Sequence, residues 1–411
     1  MVWWFIGMAM AADVSLDDLL RGDIDAALQL VESKGFGAVD QALRSRKSPA
    51  HLTDKGHWWQ VQPAQDGLQE AVFDAHLVPL PNDQHLLLWT YGTITTQPDH
   101  LGNARRWHYE LRSSVTAKEG WSPLASHGPS YSFRIRPFVE ANGAVHLFQQ
   151  HHNQNPKVDE WGIPPGEATI SWRTWTDGTF SGRRMLLPKS VRLLHNFDVH
   201  EDRNGTLRVA WAGWLGNDVR EVITERTLRP WGDPATRASS SIYNLSHPHY
   251  GRTETGESTL YASAQTPDYK TLNVVSCPGV ECEVVHTSAG DFLSNDPEAG
   301  AADALMWDER LGDTVRAHFG SGSFDMGRWS PRAAGWSVAA HGSFAAMTYD
   351  GGVYAMRYRK GEWRAALLHA PEPTEDWTTR RRSGPVTLQP IGDELIVSWW
   401  HQDRGLMVWR G

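Results

Sequence analysis

The sequence is poor in the residues that several protein classes require. Its two cysteines, Cys277 and Cys282, have no further ligands nearby, which excludes zinc-finger spacing. A disulfide between them and two free thiols both remain open. Acidic residues number 48 against 39 Lys and Arg, a net charge of −9. This balance argues against nucleic acid as a partner, and the short basic run 380–382 is expected to be a solvated loop.

Long apolar runs are also scarce. The N-terminal residues 1–12 are mostly apolar and end in an Ala-Met-Ala pattern. This segment is too short to span a bilayer, and we expect no membrane span elsewhere. It resembles the core and cleavage site of an export signal but lacks the basic residues that precede one. An export signal and an ordinary apolar cap both remain open, and a periplasmic or secreted location is favoured.

Tryptophan, by contrast, is abundant, with 21 residues. Trp buries a large area and recurs in β-rich folds and in sugar-binding faces. Residues 14–46 show a helical period after an N-cap at Ser15, with glycines interrupting it. We therefore expect a short N-terminal apolar segment and helical arm over residues 1–60, and an all-β domain over residues 61–411.

Downstream of residue 68 one phrase recurs: an apolar strand, a turn of Asp, Asn or Gly, and a second strand rich in Leu, Val and aromatics. The turn dipeptides favour tight hairpins because glycine and asparagine reach positive φ at little cost. Seven copies recur at intervals of roughly 40 to 60 residues, which suits four strands each. This pattern predicts a seven-bladed β-propeller. A two-sheet sandwich gives no reason for seven evenly spaced copies.

In a propeller the start of the first strand and the end of the second strand of each blade meet at one face. Polar and aromatic residues predicted at this face are Phe73, Asp74, His76, Tyr91, Arg134, Arg136, His151, His152, Asn153, His195, Asn196, Trp214, Asn217, Tyr243, His247, His249, Gln265, His341, Trp399, Trp400, His401, Gln402 and Arg404. Any single His can equally be a satisfied surface residue, but several blades direct such residues to the same face. The set suits an acidic polysaccharide or another polar ligand.

Imidazole, phenol and guanidinium groups in one place point to acid–base chemistry beside a carboxylate. A metal site is not expected, because no His-x-His or Cys-x-x-Cys spacing places two ligands firmly; His247 and His249, separated by a proline, are the best partial pair. No phosphate-binding glycine loop or nucleophile elbow occurs. We expect no cofactor.

The segment from Arg136 to Asn153, Arg-Pro-Phe-Val-Glu-Ala-Asn-Gly-Ala-Val-His-Leu-Phe-Gln-Gln-His-His-Asn, resembles the blade phrase of sialidase-type (BNR-like) propellers. Among these it is most similar to the propeller polysaccharide lyases, such as the ulvan lyases. The resemblance implies a seven-bladed fold and cleavage of a uronate polysaccharide by β-elimination. It implies a catalytic role for His152 and carboxylate neutralisation by Arg136. His195 stands where those lyases commonly have Tyr, and the sialidase Asp-box is missing.

These observations predict a carbohydrate-active propeller enzyme, a monomeric lyase acting on an acidic polysaccharide. The predicted catalytic residues are His152 and His195 for proton transfer, Tyr243 as acid and Arg136 as neutraliser. The predicted substrate-binding residues are His151, Asn153, Trp214, Asn217, His249, Trp400, His401 and Arg404, with Trp214 and Trp400 as stacking surfaces. The alternatives are a non-catalytic propeller that binds a glycan, peptide or protein, and an accessory protein of a biosynthetic pathway.

Overall fold

The structure is a computed structural model, and most of what it describes is β-strand. It describes residues 57–65, 70–95, 106–117, 120–130, 134–140, 143–153, 157–158, 163–164, 166–176, 178–187, 191–192, 196–202, 204–214, 221–240, 244–252, 258–266, 272–287, 298–299, 305–311, 314–319, 322–328, 337–341, 344–349, 352–359, 362–369, 383–391, 394–401 and 403–411. The helical pattern over residues 14–46 lies outside the described residues, whereas residues 57–60 of the predicted arm are described as strand. No helix occurs within these ranges, so the described chain is all-β, as predicted.

The strands are numbered along the chain. They are β1 (His57–Gln62), β2 (Glu70–Pro79), β3 (His85–Thr95), β4 (Arg106–Ala117), β5 (Gly120–Trp121), β6 (Ala125–Ser130), β7 (Ile135–Val139), β8 (Val145–His152), β9 (Glu167–Thr176), β10 (Thr179–Phe180), β11 (Arg184–Met185), β12 (Val191–Arg192), β13 (Phe197–Glu201), β14 (Leu207–Trp214), β15 (Glu221–Arg229), β16 (Ala235–Ala238), β17 (Asn244–Arg252), β18 (Ser258–Gln265), β19 (Leu272–Cys277), β20 (Glu283–Thr287), β21 (Glu298–Ala299), β22 (Leu305–Leu311), β23 (Thr314–Phe319), β24 (Gly322–Arg328), β25 (Ser337–His341), β26 (Phe344–Tyr349), β27 (Gly352–Arg359), β28 (Glu362–His369), β29 (Ser383–Ile391), β30 (Glu394–His401) and β31 (Gly405–Arg410).

The described strands form seven antiparallel sheets. Blade one comprises β2–β6, blade two β7–β12, blade three β13–β16, blade four β17–β20, blade five β21–β24, blade six β25–β28, and blade seven β29–β31 with β1. The first strand of each blade contacts the first strand of the next, and β29 of blade seven contacts β2 of blade one. Because these contacts close a ring, the fold is a β-propeller.

The ring is closed by a strand from the N-terminal side. β1 pairs antiparallel with β31, the third strand of blade seven. Trp58 of β1 packs edge-to-face on Trp399, with ring centroids 4.5 Å apart. Gln62 accepts a hydrogen bond of 2.9 Å from the Trp89 indole of blade one. The strand beginning at His57 therefore belongs to the sheet of blade seven.

Apolar side chains fill the described spaces between blades, from blade six through seven and one to four, because neighbouring blades cover both faces of these sheets. Trp399 packs with Val386 and Val353 on one side of blade seven, and Trp400 packs with Trp89 on the other side. All three indoles are at most 1% exposed. These three tryptophans therefore contribute to packing between blades.

Two of the predicted hairpins lie one strand further out than expected. In blades one to four and seven the predicted pair is the first and second strand, but in blades five and six it is β22–β23 and β26–β27, the second and third strands. Tight turns with Gly and Asp join the first and second strands as well as the second and third strands of a blade, and the two kinds of turn look alike in sequence. One consequence concerns His341, which ends the first strand of blade six. It lies at the end of the sheet opposite to the predicted face.

The two cysteines lie at the outer hairpin of blade four. Cys277 and Cys282 form a disulfide with an S–S distance of 2.09 Å, which resolves the alternative between a disulfide and free thiols. The loop they close lies against blade three, where Ser239 donates its amide to the Val280 carbonyl at 2.9 Å.

Within the described ranges, no helix is long and apolar enough to cross a membrane.

Candidate functional site

Polar side chains gather along the first strands of blades one to four. Three first strands, β2, β17 and β29, have an irregular register near their start. Such bulges bend a strand and redirect the side chains that follow, and they are common beside active sites. In β2 the irregularity comes directly before Asp74, and in β17 it comes directly before His249.

Two aspartates join neighbouring blades. Asp74 of blade one accepts the backbone amide of Ile135 in blade two at 2.9 Å. Asp198 of blade three accepts the backbone amide of Tyr250 in blade four at 2.8 Å. An amide on the inner edge of a first strand has no ladder partner on that side, so each carboxylate satisfies a donor that would otherwise be unpaired. Both aspartates are buried.

Arg136 of blade two lies between the two aspartates. Its guanidinium is 3.7 Å from Asp74 Oδ2 through Nη1 and 3.7 Å from Asp198 Oδ1 through Nε. The Arg136 side chain is only 13% exposed. A buried guanidinium needs such compensation, since an unpaired charge in this position would be costly.

Each aspartate also holds a histidine. His76 Nε2 is 3.0 Å from Asp74 Oδ1, and His249 Nδ1 is 3.2 Å from Asp198 Oδ2. Among the described residues, neither His76 Nδ1 nor His249 Nε2 has a hydrogen-bond partner. These imidazoles are 22% and 17% exposed, more than the carboxylates behind them. We call these five residues, Asp74, His76, Arg136, Asp198 and His249, the inner-strand cluster.

The charges of the cluster are nearly balanced. Burial raises the pKa of Asp74, but His76, Arg136 and Arg134 together outweigh it and hold that pKa below its usual value. Asp74 is thus ionised at neutral pH. Arg136 faces both aspartates, and Arg134, beside the cluster, adds a second positive charge near Asp74, so two arginines balance two aspartates. A carboxylate oriented toward an imidazole is the arrangement that holds histidine in one tautomer for proton transfer.

Two of the residues predicted as catalytic or substrate-binding, Arg136 and His249, are brought together in this cluster through Asp198. Asp74 and His76 were predicted at the same face without a role. His152 is partly exposed at the end of β8. Its neighbour His151 is fully buried and within 2.6 Å of the Ser171 hydroxyl. Burial, with the charges of Arg183 and Arg173, lowers the pKa of His151 well below its ordinary value, so this ring is neutral inside blade two.

Asn153, Trp400 and His401 are also inside the protein. The Asn153 side chain donates to the Lys157 and Ile163 carbonyls at 2.8 and 2.6 Å and so holds the chain that follows β8. Trp400 is a packing residue at 1% exposure and offers no stacking surface. His401 is equally buried, and its Nδ1 accepts the Asp403 amide at 3.3 Å. Arg404 is exposed beside the closing strand, where its carbonyl accepts Gln60 Nε2 at 2.6 Å.

Three predicted residues, His195, Tyr243 and Asn217, lie outside the described residues, and Trp214 is described only as part of β14. Asp198 was not among the predicted residues. A short motif could have identified it, because Phe-Asp-x-His occurs at residues 73–76 and again at 197–200. In the described part of the chain, no group of three or more His, Cys, Asp or Glu side chains is arranged to hold a metal ion.

No protein-family model matches the chain, and no curated protein matches it. Several solved structures are similar at low identity. One is a protein of unknown function from Dyadobacter fermentans, 10% identical, with 87% of this chain and 99% of that chain covered and a TM-score of 0.48. Another is the Trypanosoma rangeli sialidase in complex with sialic acid, which is 8% identical, with 87% of this chain and 59% of that chain covered and a TM-score of 0.46. A third is an α-L-arabinofuranosidase from Fusarium graminearum with an iminosugar inhibitor, 9% identical, covering 85% and 94%, TM-score 0.41.

Proposed function

We propose that the chain is a carbohydrate-active propeller enzyme that cleaves a uronate-containing polysaccharide by β-elimination at the inner-strand cluster. One observation carries the proposal. Two imidazoles on the first strands of blades one and four are each held by an aspartate at one nitrogen, and each keeps the other nitrogen without a partner among the described residues. An imidazole that a carboxylate positions in this way can act as a general base or a general acid.

The reaction needs a base and a proton donor. The base takes the proton from the sugar carbon next to the carboxylate, the electron pair forms a carbon–carbon double bond, and the glycosidic C–O bond breaks. The leaving oxygen then receives a proton. His76 and His249 can fill these two roles, with His152 as a further candidate at the end of β8. His195 and Tyr243 stay in the proposal as predicted from the sequence.

The balance of charge modifies the role of Arg136. Since its guanidinium already faces Asp74 and Asp198, it has little charge left to neutralise a substrate carboxylate alone. A uronate would therefore need a further positive group beside Arg136. Arg136 then acts mainly by keeping both aspartates in place, and through them both histidines.

A second candidate function is a non-catalytic propeller that binds a glycan. Asp74 and Asp198 favour it, because both carboxylates receive backbone amides of the next blade and so have a structural role of their own. In that case the cluster joins the blades, and the histidines contact ligand without transferring protons. The disulfide supports a further part of the proposal, a periplasmic or secreted location, because disulfides persist in oxidising compartments. That the protein is a monomer stays a prediction from the sequence.

The test is an elimination assay with polygalacturonate and alginate, read by the ultraviolet absorbance of the unsaturated product. We expect His76→Gln and His249→Gln each to lower kcat by about 10²-fold or more, the usual contribution of general acid–base catalysis. His108→Gln is the matched control, because His108 is exposed on β4, away from the cluster.

Three results would count against the proposal. Affinity for a polymer without unsaturated product would favour the binding protein. New reducing ends without ultraviolet absorbance would indicate hydrolysis. Wild-type rates in both histidine variants, with circular dichroism spectra unchanged, would place the active site elsewhere.

A further inference from the structure

A second concentration of aromatic and positive groups lies at the outer strands of blades two and three. Trp231 follows β15 and is 42% exposed, an unusual position for the largest side chain. The guanidinium of Arg226, on β15, lies over the Trp231 ring at 3.9 Å from its centroid. The guanidinium of Arg184, on β11 of blade two, lies over the same ring at 4.3 Å. We call these three residues the outer groove.

Arg226 is a buried cation without an acidic partner among the described residues. It is 7% exposed, and its guanidinium donates to two backbone carbonyls, Leu186 and, at 2.8 Å, Gly232. Burial lowers the pKa of Arg226, Asp233 raises it in part, and Arg184 lowers it further. Within the described ranges no carboxylate lies within 4.0 Å of it. An anion bound at the groove would compensate this charge.

Arg184 is exposed, and its guanidinium lies 4.3 Å from the centroid of the Trp231 ring and 5.9 Å from that of the Trp172 ring. Neither its guanidinium nor the Trp231 indole N–H has a hydrogen-bond acceptor in the part of the chain that is described. The ring contacts fix the position of the guanidinium while its donors remain available. A planar fork held in this way suits a carboxylate or sulfate, which it can bind through two parallel hydrogen bonds.

We propose that the outer groove binds an acidic sugar unit of a glycan chain, as a secondary site separate from the inner-strand cluster. The acid group binds Arg184, the positive field of Arg226 supports it, and the exposed indole of Trp231 contacts the sugar carbons. A glycan with one acid group per sugar carries fewer charges per unit length than duplex DNA, so the net charge of −9 disfavours such a glycan less than nucleic acid. The choice of an acidic glycan rests on the proposed function. The site lies on outer strands, so its role is to retain a long polymer.

The test measures binding of full-length protein to three polymers by affinity electrophoresis: polygalacturonate for carboxylates, dextran sulfate for sulfate esters, and dextran as the neutral reference. We expect Arg184→Gln and Trp231→Ala each to weaken binding of one acidic polymer about tenfold, the usual effect of losing a charge-assisted contact. Which polymer responds identifies the acid group. Arg410→Gln is the matched control, because Arg410 is an exposed arginine already paired with Glu394 at 2.6 Å.

Failure of this site and failure of the proposed function give different results. If no polymer is cleaved but Arg184→Gln still weakens binding of an acidic polymer, the proposed binding site at the outer groove is supported and the proposed lyase activity is wrong. If oligosaccharides are cleaved in a His76-dependent way while both groove variants bind polymer like wild type, the groove proposal is wrong. Equal binding of dextran would also overturn it, and so would equally Arg184-dependent binding of double-stranded DNA, run as a fourth polymer.

Discussion

Replacing Gly405 by alanine tests how the ring is closed. Gly405 begins β31 with a φ of 79°, and an added Cβ would lie 1.9 Å from the Gln62 carbonyl oxygen and 2.6 Å from the Ala64 amide nitrogen. Real Cβ atoms essentially never show contacts under 3.0 Å. Both clashing atoms belong to the main chain, so no side-chain rotation relieves them. The segment that follows β1 must move away, and the end of the β1–β31 pairing is lost with it.

The magnitude follows from separating two costs. Gly178 has a similar φ of 87° but open space where an added methyl group would lie, so Gly178→Ala carries only the conformational cost, about 1 kcal/mol. For Gly405→Ala we expect about 3–5 kcal/mol, because strand pairing and the packing of Trp58 on Trp399 are disturbed as well. Urea unfolding followed by tryptophan fluorescence measures both variants. Equal losses in the two would refute the idea that close approach of β1 to Gly405 closes the ring.

Three further predictions follow from the described contacts. His151 is buried and its pKa is lowered, so its contribution to stability is complete above the ordinary imidazole pKa of 6.5 and is lost as pH falls below that value. The loss is up to about 1.4 kcal/mol per pH unit. His151→Gln should flatten the pH dependence of the unfolding free energy, measured with urea between neutral and mildly acidic pH, and an unchanged slope would contradict this. Asp198→Asn keeps an acceptor for the Tyr250 amide but removes the negative charge that faces Arg136 and His249. We expect the unfolding free energy in urea to fall by about 1–3 kcal/mol, and an unchanged value would contradict this. Trp400→Ala should lower the unfolding free energy by about 3–5 kcal/mol, while the folded fraction of the variant keeps its affinity for the polymer. If Trp400 stacked on the ligand instead, the variant would lose affinity at unchanged stability.

The class of fold was accessible from the sequence because it depends on local signals. Turn dipeptides and the alternation of apolar and polar residues involve only residues close together in sequence, and they locate the hairpins of blades one to four and seven. The same signals misplaced the hairpins of blades five and six by one strand, since a tight turn carries no information about its distance from the centre of the ring. The closing strand β1 was missed for a related reason. Its partner β31 is at the other end of the chain.

The candidate site was less accessible, and the comparison of Trp400 with Asp198 explains why. A tryptophan at the end of a strand looks like a ligand platform in sequence, but both faces of a blade are covered, so a large apolar ring there is drawn into the packing between blades. An aspartate inside a strand looks like an ordinary polar position, but at the inner edge it satisfies the amide of the next blade, and from there it can orient His249. The location of the strand edge decides both outcomes. In this fold a repeated Asp near the start of first strands, such as the Phe-Asp-x-His motif at residues 73–76 and 197–200, is therefore a better sequence indicator of the inner site than the number of histidines or tryptophans.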